Sequence, residues 1–200
     1  MRIVTAQELE SWLTSGKVLE KDARGPKVVA LDNGLFLKIF HTRQYPWLAR
    51  LQPAAKRFER NAHLLKQLGI ASPSIEETFW LDPGRGLSGC IYSPLPGIAL
   101  EQVYSDCPQR FNELLPRLAE FIKHLHGKRV YFRSLHLGNI LLLPDERFGL
   151  IDFLDMKRNL LPLNAWQIQR NFKHLENYLG RKKLEGFPLR ELLKLYEEQH

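Results

Sequence analysis

The sequence predicts an α+β protein in two lobes, a β-rich lobe over residues 1–93 and a helical lobe over residues 94–200. Three observations carry this. Short apolar runs bounded by turn residues recur up to residue 92. A wide stripe of apolar residues at helical spacing begins at Phe111. Between them Ser93-Pro94-Leu95-Pro96-Gly97 interrupts both patterns and reads as a linker. Strands first and helices after is the order of a segregated α+β architecture.

The elements follow in order. Residues 17–21 form a short candidate strand, closed by the turn Asp22-Ala23-Arg24-Gly25-Pro26. Residues 27–31 form a second, with two β-branched valines. Asp32-Asn33-Gly34 is a hairpin signal, because Asn-Gly tolerates positive φ. Residues 35–40 form a third strand, apolar except for Lys38. Pro53 suits the first position of a helix, where no amide donor is needed. Ala55, Phe58, Ala62 and Leu65 then share one helical face, which ends near Gly69. Residues 78–81 and 87–92 read as two further strands around a Pro-Gly turn.

Past the linker, Phe111, Leu114, Leu115, Leu118, Phe121, Ile122 and Leu125 make one apolar stripe. Pro116 inside it predicts a helix start or a kink. Residues 135–143 and 148–153 read as two strands around Pro144-Asp145-Glu146. The tail, 165–199, reads as helix broken near Gly186-Phe187-Pro188.

Composition narrows the class. The chain has 200 residues, 44% hydrophobic and 26% charged, which is globular composition with enough length to bury a core unaided. Cys90 and Cys107 are too few for a disulfide framework, so a reducing, cytoplasmic compartment is expected. The first ten residues lack a secretory h-region, and no apolar run approaches the roughly 18 residues that span a bilayer. With 29 basic and 22 acidic residues the net charge is +7, which favours anionic partners. Nucleic acid is not the expected one, because no aromatics interleave a basic stripe.

Three polar residues sit in apolar surroundings: Lys38, Asn139 and Asp152. A carboxylate closing the run Leu150-Ile151-Asp152-Phe153 needs a partner or a metal if it is buried. Asp152 follows Asn139 by thirteen positions, which suits a hairpin that brings both to one end. An amide oxygen and a carboxylate are hard ligands suited to Mg²⁺. Each has a plainer reading: Lys38 as a strand-edge lysine, Asn139 as a local cap, Asp152 as a structural acid. Ser134, His136 and Asp152 supply the residue types of a hydrolase triad, but there is no G-x-S-x-G elbow. His124 and His126 lack zinc-ligand spacing. Trp166 and Arg170 are expected to pack against the helical lobe, and His136 to stack or hydrogen-bond within its loop.

The run from Leu125-His126-Gly127 through Ser134-Leu135-His136-Leu137-Gly138-Asn139-Ile140-Leu141-Leu142 to Leu150-Ile151-Asp152-Phe153 resembles the catalytic segment of the protein-kinase-like fold. It is most similar to the bacterial kinases that phosphorylate heptose and Kdo sugars of the lipopolysaccharide core, with a pattern like LHxxGVxHxDLHxGNIL…LIDF. The resemblance spans about residues 17–155 and is specific over 125–154. It implies a two-lobed kinase-like fold with a shortened helical lobe. It implies that Lys38 holds the ATP phosphates, that Glu59 pairs with Lys38, and that Asn139 and Asp152 bind Mg²⁺. The tract Ile91 to Gly97, including Ser93, would hold adenine by its backbone. The implied acceptor is a lipopolysaccharide-core sugar at the inner face of the bacterial inner membrane. Some similar proteins carry a toluene-tolerance label, which fits a role in outer-membrane integrity. Contact with an anionic membrane through Arg181-Lys182-Lys183 would fit the same setting.

The chain also departs from that pattern. Ser134 stands where the resemblance expects the catalytic Asp, and Phe132 where it expects a His. The turn at 22–26 holds one glycine, and Leu154 follows Asp152-Phe153. There is no Ala-Pro-Glu motif, and 46 residues follow Leu154, so the substrate platform is expected to be reduced. His136 or Asp155 would be the substitute base. Without one, the chain would be a pseudokinase that binds nucleotide and transfers nothing.

Overall fold

The computed structural model describes residues 1–41 and 46–198. The chain is α+β and divides into two compact units, 1–67 with 72–95, and 68–71 with the chain from Pro96 onward. The expected boundary was residue 93. Residues 68–71 join the second unit because Ala71 bridges Gly149 and its carbonyl accepts from the Leu150 N–H at 2.9 Å.

The first unit is built on a six-stranded sheet. Its strands are β1 (Arg2–Ile3), β2 (Lys17–Asp22), β3 (Gly25–Ala30), β4 (Phe36–Phe40), β5 (Ser74–Asp82) and β6 (Leu87–Ser93), in the order β1-β5-β6-β4-β3-β2. Only the β1–β5 pair is parallel. Period-two alternation sorts the faces. Leu37 and Ile39 of β4 and Phe79 of β5 join Val4 and Val29 in one buried cluster. Helix α1 (Ala6–Ser15) covers it with Leu9, Trp12 and Leu13, and the Trp12 and Phe79 rings lie 5.3 Å apart. Phe36, Phe40 and Tyr92 point to the other face. There Phe58 of helix α3 (Ala54–Gln67) lies 5.4 Å from the Phe40 ring and 6.4 Å from the Tyr92 ring. A Cβ on Gly89 would stand 2.7 Å from the Phe79 ring, so the close passage of β6 over that ring demands glycine.

Two features here differ from expectation. No element was assigned to residues 1–16, yet Thr5 caps α1 by accepting from the Glu8 N–H at 3.1 Å. Pro53 lies just before α3 and not at its first position, since its carbonyl accepts the first helical bond, from the Arg57 N–H at 3.0 Å. Helix α2 (Pro46–Leu51) precedes it.

In the second unit, strand β7 (Ile98–Ala99) leads into helices α4 (Leu100–Asp106) and α5 (Pro108–Gly127). Strand β8 (Val130–Tyr131) follows, then a 3₁₀ turn at Leu137–Asn139 and the hairpin β9 (Ile140–Leu142) and β10 (Phe148–Leu150). A second 3₁₀ turn at Phe153–Asp155 leads to β11 (Lys157–Arg158), α6 (Ala165–Lys182) and α7 (Leu189–Glu198). The strands form a β10-β9-β7 sheet and a β8–β11 ribbon. Helix α5 buries Phe111, Leu114, Leu115, Leu118, Ala119, Ile122 and Leu125, and it runs through Pro116 without a break. The expected tail reached Gln199, which lies outside the described residues. His126 ties this unit together: its Nε2 donates to Asn171 Oδ1 at 3.1 Å, and its Nδ1 accepts from the Tyr196 hydroxyl at 2.8 Å. Asn171 in turn donates to the Phe132 carbonyl at 3.0 Å. Burial holds the His126 imidazole down at about 4.

Candidate functional site

The residues singled out in the second unit gather around the loop before β9. That loop closes on itself. The Leu135 N–H donates to the Phe132 carbonyl at 3.1 Å, and the Asn139 N–H to the His136 carbonyl at 2.9 Å. The buried Asn139 side chain stitches it further: Nδ2 donates to the Ser134 carbonyl at 3.0 Å and lies 3.3 Å from His136 Nε2. These bonds shorten the expected strand over 135–143 to Ile140–Leu142.

The β9–β10 hairpin brings the far end back. Leu150 pairs with Ile140, and the Ile151 N–H donates to the Asn139 carbonyl at 3.0 Å. Asp152 is the next residue. It has φ 51° and ψ 43°, a left-handed conformation that Asp tolerates better than most residues. Such backbones persist where surrounding structure holds them and cluster at functional sites. The expectation of a buried carboxylate ending a strand is corrected here. Strand β10 stops at Leu150 and Asp152 is exposed, so burial cost does not explain it.

Ser134 and Asp155 form a pair beside this end. Ser134 Oγ donates to Asp155 Oδ2 at 2.9 Å. The other carboxylate oxygen, Oδ1, is buried and has no hydrogen-bond partner among the described residues. Burial raises the Asp155 carboxyl above the usual range and Asp152 adds to this, against the pull of Ser134 and Arg133.

His136 sits flat on Tyr178, with ring centroids 3.9 Å apart and planes 7° from parallel. Burial holds its imidazole down at about 4, so it is neutral at pH 7. Its Nδ1 is buried and has no hydrogen-bond partner among the described residues. The Tyr178 hydroxyl donates to Glu101 Oε2, and Lys182 Nζ lies 3.0 Å from Glu101 Oε1. Burial alone would raise the Glu101 carboxyl, but Tyr178 and Lys182 outweigh it and hold the group below the ordinary range. Sequence reasoning passed over Glu101 and Tyr178. Gly138 was the available signal, because a Cβ there would stand 2.5 Å from the Tyr178 hydroxyl.

In the first unit, Lys38 stands on β4 between Val28 and Cys90. Its Nζ lies 5.5 Å from the Phe58 ring centroid, on the α3 side of the sheet. Glu59 of α3, the partner the resemblance implies for Lys38, binds Lys56 at 2.7 Å. The charges of Lys38 and Glu59 both reach the buried Cys90 thiol. Burial pushes that thiol up to about 12, Lys38 opposes and Glu59 adds. The Ile91 side chain packs on the α1-side cluster, and its backbone is flanked by Leu37 and Glu77 of the neighbouring strands. Ser93 Oγ donates to Glu76 Oε1 at 2.8 Å.

One other expectation changes. Trp166 is exposed, with the Arg170 guanidinium 4.9 Å from its ring, because α6 turns both away from the apolar face formed by Phe172, Leu175 and Leu179. In the run 181–183, Lys182 is engaged by Glu101 and Lys183 is the left-handed cap of α6. Both cysteines are free, Cys90 buried and Cys107 exposed. Among the described residues, no cluster of three or more His, Cys, Asp or Glu side chains is arranged to hold a metal, and no helix is long and apolar enough to cross a membrane. No protein-family model matches the chain, and no curated protein matches it.

Proposed function

We propose that the chain binds ATP with Mg²⁺ and transfers its terminal phosphate, as a two-lobed protein-kinase-like enzyme with a reduced helical lobe. The observation that carries this is the single hairpin end shared by Asn139 and Asp152, joined through the 3.0 Å bond from the Ile151 N–H to the Asn139 carbonyl. The donor set fits the ion: one amide oxygen and one carboxylate, with nucleotide phosphates completing a magnesium shell. Asn139 Nδ2 is committed within the loop, so Oδ1 is the end offered to a cation. When bound, the ion supplies charge neutralisation at the β- and γ-phosphates. Lys38 would hold the α- and β-phosphates. Backbone past the end of β6, over 94–97, would receive adenine, since Ile91 is already flanked by two strands.

The acceptor's proton needs a destination. Ser134 alone is not a base near neutral pH, but its hydroxyl already donates to Asp155. As the acceptor oxygen bonds to the γ-phosphorus and the bond from that phosphorus to the bridging oxygen of the departing ADP breaks, the acceptor's proton would pass to Ser134 Oγ, whose own proton passes to Asp155 Oδ2. A carboxyl raised by burial suits that role better than an ordinary one. The proposed acceptor is a lipopolysaccharide-core sugar hydroxyl at the cytoplasmic face of the inner membrane, with a consequence for outer-membrane integrity. The sequence resemblance supports this part.

One observation favours a second reading. The position of the expected catalytic Asp is Ser134, and that serine is tied to a neighbour. Under this reading the chain is a pseudokinase, a nucleotide-binding module without transfer. A thermal-shift titration with ATP, with and without Mg²⁺, addresses the shared claim, and no Mg²⁺-dependent shift would overturn both readings. Phosphate release that disappears in Asp152→Ala selects the enzyme, with a loss of about 10²-fold or more. Binding without release, with release gained in Ser134→Asp, selects the module.

A further inference from the structure

The segment after the second 3₁₀ turn presents three large apolar side chains to solvent: Leu160 at 91% exposure, Leu161 at 75% and Trp166 at 59%. Single exposed apolar residues are ordinary, whereas neighbouring ones held out by a fixed backbone are not. This backbone is fixed. Strand β11 pairs with β8. The Asn159 N–H donates to the Arg129 carbonyl at 2.9 Å, and Arg129 Nη1 donates back to the Leu160 carbonyl at 2.6 Å. Asn159 Nδ2 donates to Gln167 Oε1 at 3.1 Å, and Gln167 completes a capping box with Asn164. Turning the leucines inward would break these bonds.

The surrounding charge has one sign. From Met156 to Leu175 the chain carries Lys157, Arg158, Arg170 and Lys173 and no acid. From Gly127 to Ser134 it carries Lys128, Arg129 and Arg133 and again no acid. Among the described residues, Lys128, Arg129, Lys157, Arg158 and Arg170 make no ion pair with an acidic side chain. The ribbon and the Arg129–Leu160 bond bring several of these cations next to the exposed leucines.

We infer that this loop docks the protein on an anionic lipid surface, with Leu160 and Leu161 entering the acyl boundary, Trp166 at headgroup level and the flanking cations on lipid phosphates. Aliphatic tips, an indole and basic stems that extend towards water are the combination such an interface rewards. A second copy fits poorly, because a two-fold contact would set like charges against each other. Nucleic acid fits poorly, because two leucines offer neither stacking nor phosphate contacts. The loop is distinct from the run 181–183, where Lys182 is held by Glu101. The inference does not rest on the phosphotransfer reading.

The test is co-sedimentation of the full chain with vesicles of phosphatidylcholine alone and of phosphatidylcholine with phosphatidylglycerol, at low and high salt. Binding is expected only with phosphatidylglycerol and is expected to fall with salt. The Leu160→Asp/Leu161→Asp variant is expected to bind about tenfold more weakly or worse, with an unchanged melting temperature because both side chains are exposed. Lys157→Glu/Arg158→Glu is expected to lose binding and its salt dependence while keeping its fold. Equal binding to both vesicles, or undiminished binding by the leucine variant, overturns the inference. So does self-association, or binding to a short DNA duplex, that the leucine variant abolishes while vesicles remain unbound.

Discussion

At the scale of single residues, the candidate site is held by neighbours distant in sequence. Gly138 stands under the Tyr178 hydroxyl and beside Glu101 Oε2, at 2.5 and 3.2 Å from where a Cβ would sit. A Gly138→Ala chain must move Tyr178, and with it the ring on which His136 lies. Destabilisation of about 1–3 kcal/mol is expected, by urea denaturation. Combining it with Tyr178→Phe should recover part of the loss, which a backbone effect at residue 138 would not allow. Little of this was legible. Asn139 and Asp152 stood out because polar residues in apolar runs are conspicuous, and His136 was expected to stack or hydrogen-bond within its own loop. Its partner comes from a helix some forty residues downstream, and no local pattern announces a contact of that range. Asp152 misled for a related reason. Its apolar flank suggested burial, but the strand ends before it.

At the scale of elements, periodicity was the reliable guide. The alternation in β4 and the three-four spacing in α3 and α5 follow from which faces meet a core, and both faces are where the pattern put them. Helix α1 escaped because Leu9, Trp12 and Leu13 are spread among polar residues, although Thr5 and Glu8 mark its start. The turns at 137–139 and 153–155 escaped because each is closed by a single backbone bond, Asn139 N–H to the His136 carbonyl and Met156 N–H to the Phe153 carbonyl, and elements so short leave no periodicity. His126 gives a measurable consequence, since its network links α5 to α6 and α7. Its folded value of about 4 lies below the unfolded 6.5. Its contribution to stability is therefore present above 6.5 and lost as the pH falls towards 4. A drop of about 2 kcal/mol between pH 7 and pH 5 is expected from this group. His126→Asn, compared by urea denaturation at both pH values, should lower stability at pH 7 and flatten the dependence.

At the scale of the whole molecule, the chain passes between its two units three times, after residues 67, 71 and 95. The Pro-rich run at 94–97 was visible as an interruption. The short visit by 68–71 was not, because a single bridge to Gly149 leaves no trace in composition. A fragment beginning at Pro96 would leave β10 without its Ala71 neighbour and expose an unpaired strand edge. Such a fragment is expected to self-associate and to lose the cooperative thermal transition of the full chain, measured by light scattering and circular dichroism.

That same bridge sets an order of events during synthesis. Every residue of the first unit leaves the ribosome before Gly149 exists. The stretch 68–71 must therefore wait, flanked by already assembled strands on either side, until more than seventy further residues have emerged to claim it. Translation speed across the later half of the message thus governs how long an unfinished edge is open to wrong partners.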